Sequence, residues 1–194
     1  MRIGTVSRKT KETDIQCEIV LDGTGKSEIK TGIGFFEHML NSFARHGLFD
    51  LKLSCDGDLR VDCHHSIEDC GIVLGEALEK AAGDKKGIRR YGHIILPMDE
   101  ALVLCAVDFG GRPYLSFDLE FPQERCGEMD MAMVREFFYA LSYSAGMNIH
   151  LKQLSGGNSH HIAEAAFKAY AKALRQAVEL DGRIGDVLST KGSL

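Results

Sequence analysis

Two histidine pairs, each followed by a glutamate, carry the chemistry that the chain can do. His64-His65-Ser66-Ile67-Glu68 and His160-His161-Ile162-Ala163-Glu164 lie 96 residues apart and share one pattern. On a helix, adjacent residues point about 100° apart, so the two histidines of a pair cannot easily chelate one ion. A residue three or four positions on shares a face with one or other of them, so each glutamate can accompany a histidine. The spacing therefore predicts two metal ions, with each pair split between them. His38 and Glu136, both on predicted helices, are placed to complete the shells, giving the candidate ligands His38, His64, His65, Glu68, Glu136, His160, His161 and Glu164. Imidazole and carboxylate without thiolate suit a borderline metal such as Mn, Fe, Co or Zn. Four protein ligands per ion leave octahedral positions open, which favours catalysis over a structural role. His46, His93 and His150 have no such partners in the pattern and read as structural or solvent-facing.

The elements that must hold these side chains recur in both halves. Thr13 to Leu21 alternates with Ile15, Cys17, Ile19 and Leu21 on one side, a strand with one wet face, and a second strand is expected after Asp22-Gly23-Thr24-Gly25. Phe35, Phe36, Met39, Leu40 and Phe43 recur at helical spacing, with Gly47 as a cap. Leu48 to Cys55 alternates again, and Asp62 can cap a second helix. Later, Ala101 to Phe109 and Tyr114 to Leu119 read as strands joined by the turn Gly110-Gly111-Arg112-Pro113. Met131 to Ala145 reads as a helix, Met147 to Leu151 as a strand and Asn158 to Leu180 as a long helix. Each half thus runs strand, strand, helix, strand, helix. The expected fold is α+β, a tandem duplication of a two-layer sheet-and-helix half, with residues 1–86 as the first half and 87–194 as the second.

Composition narrows the rest. A net charge of -5 argues against broad affinity for nucleic acid, and no apolar run approaches a membrane span. Six cysteines without a C-x-x-C pair, and a start lacking signal-peptide character, point to reduced thiols in the cytoplasm. Arg90, Arg112 and Lys168, with Ser189-Thr190-Lys191 near the chain end, offer ammonium, guanidinium, hydroxyl and backbone N–H groups suited to a phosphate. Two other readings fit a duplicated His/Glu site: a binuclear hydrolase of a phosphorylated small molecule, and a metal-storage assembly.

Five segments together resemble the imidazoleglycerol-phosphate dehydratase family: Gly32 to Leu40, Asp62 to Asp69, Pro97 to Leu102, Gly110 to Tyr114 and Asn158 to Ala165. The resemblance runs nearly the whole length, in order. It implies a metal-dependent dehydration of imidazoleglycerol phosphate to imidazole acetol phosphate in histidine biosynthesis. It implies two Mn²⁺ per active site on the ligands named above; Glu136 stands where other members carry His. It places substrate contacts on Glu12, Arg90, Arg112, Lys168, Ser189, Thr190 and Lys191, and leaves Glu12, Glu68 and Glu164 as candidate bases, with Lys168 beside the departing hydroxyl. It also implies halves of left-handed βαβ type, like a ribosomal-protein domain. The implied assembly is a homo-oligomer of 24 subunits built from trimers, with active sites between subunits.

Overall fold

The computed structural model describes all 194 residues, Met1–Leu194. The first half contains β1 (Ile3–Lys9), β2 (Thr13–Val20), β3 (Ser27–Lys30), α1 (Gly34–Gly47), β4 (Asp50–Gly57) and α2 (His64–Ala82). The second contains β5 (Tyr91–Met98), β6 (Ala101–Asp108), β7 (Tyr114–Asp118), a small hairpin of β8 (Arg125–Cys126) and β9 (Met129–Asp130), α3 (Met133–Ala145), β10 (Asn148–Ser155) and α4 (Ser159–Val178). The two sheets have matching orders, β1-β2-β4-β3 and β5-β6-β10-β7. In each, the third strand runs parallel to the one that follows the helix, β3 to β4 and β7 to β10, and the other pairings are antiparallel. The α+β duplication expected from the sequence is the architecture of the chain.

Alternation fixes which sheet face is dry. Ile15, Cys17 and Ile19 of β2 and Val103, Cys105 and Val107 of β6 all point inward, while their neighbours face out. The inward faces are covered by α2, on β1 and β2, and by α4, on β5 and β6. The remaining helices cross over: α1 packs on α4, and α3 packs on α2. Each half therefore lends one helix to its twin, and a single apolar core runs through both. Its centre is aromatic, with the Phe36 and Phe137 rings 5.3 Å apart and those of Phe138 and Phe167 4.9 Å apart. This exchange sets up the site, because a side chain on α1 meets side chains on α4.

Three local features differ from the sequence pattern. Each half begins with an additional strand, β1 or β5, whose alternation is too weak to read, since few of its side chains are buried. These strands pass directly beneath the long helices. A Cβ on Gly4 would lie 1.8 Å from the Ala77 carbonyl oxygen, and one on Gly92 would lie 1.9 Å from that of Ala173. Gly92→Ala is therefore expected to push α4 off its sheet. Overpacking of this kind costs about 1–3 kcal/mol, and at about 2–4 °C per kcal/mol for a chain this long, calorimetry should show the melting temperature fall by several degrees. At the end of α1, the left-handed residue is Leu48 (φ 56°), not Gly47. Gly47 is helical and needs to be a glycine for another reason, since a Cβ there would lie 2.4 Å from the Phe49 ring. Finally, Gly110 to Pro113 joins strands that are not neighbours, since β10 lies between β6 and β7. No helix is long and apolar enough to cross a membrane.

Candidate metal centre

Both histidine pairs occupy the first turn of a helix, and both are held there in the same way. The Asn158 side chain accepts the His160 backbone N–H at 2.9 Å, and Asp62 accepts that of His64 at 2.7 Å. Short polar side chains satisfy otherwise unpaired amides at helix starts. The helical twist then splays the pairs. The rings of His160 and His161 stand 6.0 Å apart at 80°, and those of His64 and His65 6.1 Å apart at 66°.

On α4, His160 and Glu164 share one face, and α1 brings His38 to them. Glu164 Oε2 lies 3.2 Å from His160 Nε2 and 3.5 Å from His38 Nε2. One donor atom from each of the three residues falls within 4.8 Å of the other two, a group that could hold a metal ion. The other oxygen of Glu164 receives Lys168 Nζ at 2.7 Å, and Lys168 also reaches Met98 Sδ at 3.5 Å. Burial opposes ionisation of Glu164, but the hydrogen-bonded Lys168 ammonium and the two neighbouring imidazoles together outweigh it, and the carboxyl sits below its ordinary pKa. A charged carboxylate flanked by two Nε2 atoms is a donor set that fits Mn, Fe, Co or Zn.

The twin arrangement in the first half is looser. His64 Nε2 lies 3.6 Å from Glu68 Oε2. Glu136 occupies on α3 the place of His38 on α1: Val134, Phe137, Phe138 and Leu141 are buried around it as Phe36, Met39, Leu40 and Phe43 are around His38. Its carboxylate is engaged by Arg135 at 3.1 Å, and it does not join His64 and Glu68 in a tight group.

His65 and His161 join neither group. His65 Nδ1 meets Asp58 at 3.0 and 3.2 Å, with Glu12 3.9 Å off; His161 Nδ1 meets Glu100 Oε2 at 2.7 Å. Hydrogen bonding to Asp58 raises the His65 pKa, hydrogen bonding to Glu100 raises that of His161, and His161 in turn lowers the Glu100 carboxyl to about 2. Sequence reasoning missed Asp58 and Glu100. The repeat itself offered the signal for the second: Glu12 and Glu100 each immediately precede the second strand of their half.

The anion-binding candidates gather elsewhere. Arg90, Arg112, Ser189, Thr190 and Lys191 line a cavity of about 730 Å³ with the end of the tail. Arg90 grips Asp108 through two N–H groups, at 2.6 and 3.0 Å, and donates a third to the Leu188 carbonyl at 2.9 Å, so one guanidinium both orients and docks the tail. Asp108 raises the Arg90 pKa further. Lys168 stays with Glu164, away from this cavity, and Glu12 sits at the β1–β2 turn with its side chain 54% exposed.

Duplicated α+β halves that exchange helices and converge two imidazoles and a carboxylate define a protein of metalloenzyme type. The family model for imidazoleglycerol-phosphate dehydratase matches residues 31–174. The chain is 60% identical over 193 residues to the imidazoleglycerol-phosphate dehydratase of Lachnoclostridium phytofermentans, covering 100% of this chain and 98% of that one. It is 57% identical over 195 residues to the enzyme of Jannaschia sp., covering both in full. The crystal structure of imidazoleglycerol-phosphate dehydratase from Staphylococcus aureus superposes with a TM-score of 0.84 at 39% identity, over 92% of this chain and 99% of that one. The Pyrococcus furiosus enzyme, solved in complex with (S)-C348, also gives 0.84, at 42% identity over 97% and 100%. The chain belongs to the imidazoleglycerol-phosphate dehydratase family.

Proposed function

We propose that the chain dehydrates imidazoleglycerol phosphate to imidazole acetol phosphate in histidine biosynthesis, using two Mn²⁺ held by His38, His64, His65, Glu68, Glu136, His160, His161 and Glu164. The observation that carries this reading is the meeting of His38, His160 and Glu164, with Lys168 behind them, across the two halves. Bound there, the ions would supply positive charge at the ring nitrogens and so favour the deprotonated, electron-rich ring.

The protein side chains then divide the proton work. Glu164 is committed to Lys168 and the two imidazoles, and Glu68 to His64. Glu12 accepts no hydrogen bond through its carboxylate and is exposed, which makes it the best placed of the three candidate bases to take the carbon-bound proton. The hydroxyl leaves from the ring-attached carbon, and Lys168 is the ammonium nearest the centre to protonate it as water. The enol left behind becomes the ketone. Arg90, Arg112, Ser189, Thr190 and Lys191 bind the phosphate and fix the reacting carbons.

One chain alone cannot bring these parts to one small substrate. The Arg90 amide bonds the Ala177 carbonyl at the far end of α4 from His160, and 17 residues of helix at about 1.5 Å each span roughly 25 Å. The phosphate cavity and the metal centre of a chain therefore belong to different active sites. We assign them to neighbouring subunits, in a homo-oligomer of 24 chains built from trimers. His65 and His161, which join neither group within their own chain, are the ligands suited to complete a neighbour's shell.

A turnover assay with metal-stripped protein tests the reading. Mn²⁺ should restore formation of the ketone from imidazoleglycerol phosphate, and Zn²⁺ provides the challenge. Release of inorganic phosphate in place of the ketone would overturn it.

A further inference from the structure

His65 and His161 each meet a carboxylate through Nδ1, with only Asp99 Oδ2, at 3.7 Å from His161 Nε2, near either of the other ring nitrogens, yet the two Nδ1 carboxylates do not occupy equivalent positions. His65 Nδ1 is met by Asp58, just past β4, at 3.0 Å; His161 Nδ1 is met by Glu100, at the β5–β6 turn, at 2.7 Å. The repeat counterpart of Glu100 is Glu12, which stays 3.9 Å from His65. Duplication alone would have reproduced one contact twice from matching residues. Here the same contact is made in two different ways. Glu100 is itself fixed, since its Oε1 accepts the backbone N–H groups of Asn158 at 3.1 Å and Gly157 at 3.4 Å, in the loop that leads into α4.

An acceptor at Nδ1 keeps the ring proton there and leaves the Nε2 lone pair free, and it also holds the ring plane. We propose that Asp58 and Glu100 are positioning residues that set the tautomer and direction of His65 and His161, so that each offers Nε2 to a metal ion. The proposal rests on the reading of these histidines as ligands. It also assigns a division of labour: Asp58 takes the His65 contact, and Glu12, relieved of it, is left free for substrate.

The test is Mn²⁺ affinity, measured on metal-stripped oligomer by the paramagnetic resonance of free Mn²⁺, for Glu100→Gln, His161→Ala and the double variant. Asp58→Asn and His65→Ala form a second, independent set. Loss of such an orienting partner typically weakens metal binding about 10–100-fold. Glu100→Gln should do so while the metal-free melting temperature and oligomer size stay at wild-type values. The double variant should bind no more weakly than His161→Ala alone, because Glu100 acts through that ring. Unchanged affinity in Glu100→Gln beside a weakened His161→Ala would overturn the positioning role and leave the ligand assignment standing. Additive losses in the double variant would overturn it too. Unchanged affinity in His161→Ala would instead overturn the ligand assignment on which the proposal rests. Should Glu100→Gln fail to assemble, the Asp58→Asn set decides by the same criteria.

Discussion

His160→Ala is expected to lose bound Mn²⁺ and turnover together, with little change in the stability of the metal-free protein. His160 is one of the three residues that converge, and its Nε2 is the imidazole nitrogen nearest Glu164, at 3.2 Å. Its side chain is 44% exposed, so truncation opens no core cavity. The ring contacts at risk are those with Phe35, His38 and His161, at centroid separations of 5.0, 5.6 and 6.0 Å. Without His160 the ion keeps His38 and Glu164 from this centre, and the Lys168 ammonium competes for the carboxylate. Metal charge stabilisation is worth several kcal/mol, which converts to a drop in kcat of about 10³-fold or more. Elemental analysis of the purified variant and a kcat measured at saturating Mn²⁺ check both halves of the expectation. Full metal content with full turnover would remove His160 from the ligand set.

How far the sequence revealed this site depends on the kind of feature. The His-His-x-x-Glu pattern was legible because the helix fixes the angle between neighbours, so residue spacing alone predicts which side chains share a face. That His38 would join His160 and not His64 was not legible. The exchange of α1 and α3 between halves decides it, and helix exchange leaves no mark on local periodicity. Strands β1 and β5 escaped for a related reason. Gly4 and Gly92 are small because helices rest on them, and small residues blunt the very alternation that reveals a strand. Asp58 and Glu100 were hidden because a carboxylate in a turn reads as a solvated charge until its partner is placed. The separation of Arg90 from the His38, His160 and Glu164 group emerged only with α4 laid along β5, which sets Arg90 at the far end of that helix from His160.

Glu12→Gln is expected to behave in the opposite sense to His160→Ala, keeping metal and losing chemistry. The Glu12 carboxylate makes no hydrogen bond, and its nearest ionic neighbour, His65 Nδ1 at 3.9 Å, is already satisfied by Asp58 at 3.0 Å. Glutamine has the same shape and leaves that pair intact, so Mn²⁺ stoichiometry and assembly should match the wild type. What it lacks is the capacity to take a proton. Removing a general base lowers turnover by about 10²–10⁴-fold. KM should stay near the wild-type value, since the residues proposed to bind the phosphate, Arg90, Arg112 and the Ser189 to Lys191 segment, line a separate cavity. A loss confined to KM would make Glu12 a binding group. A wild-type kcat would move the base to Glu68 or Glu164, each of which would then have to act while also holding a cation. Steady-state kinetics at full metal loading, paired with solvent-exchange of the substrate's carbon-bound hydrogen, separates these outcomes. Slow exchange together with slow turnover marks a missing base, and normal exchange marks a later step.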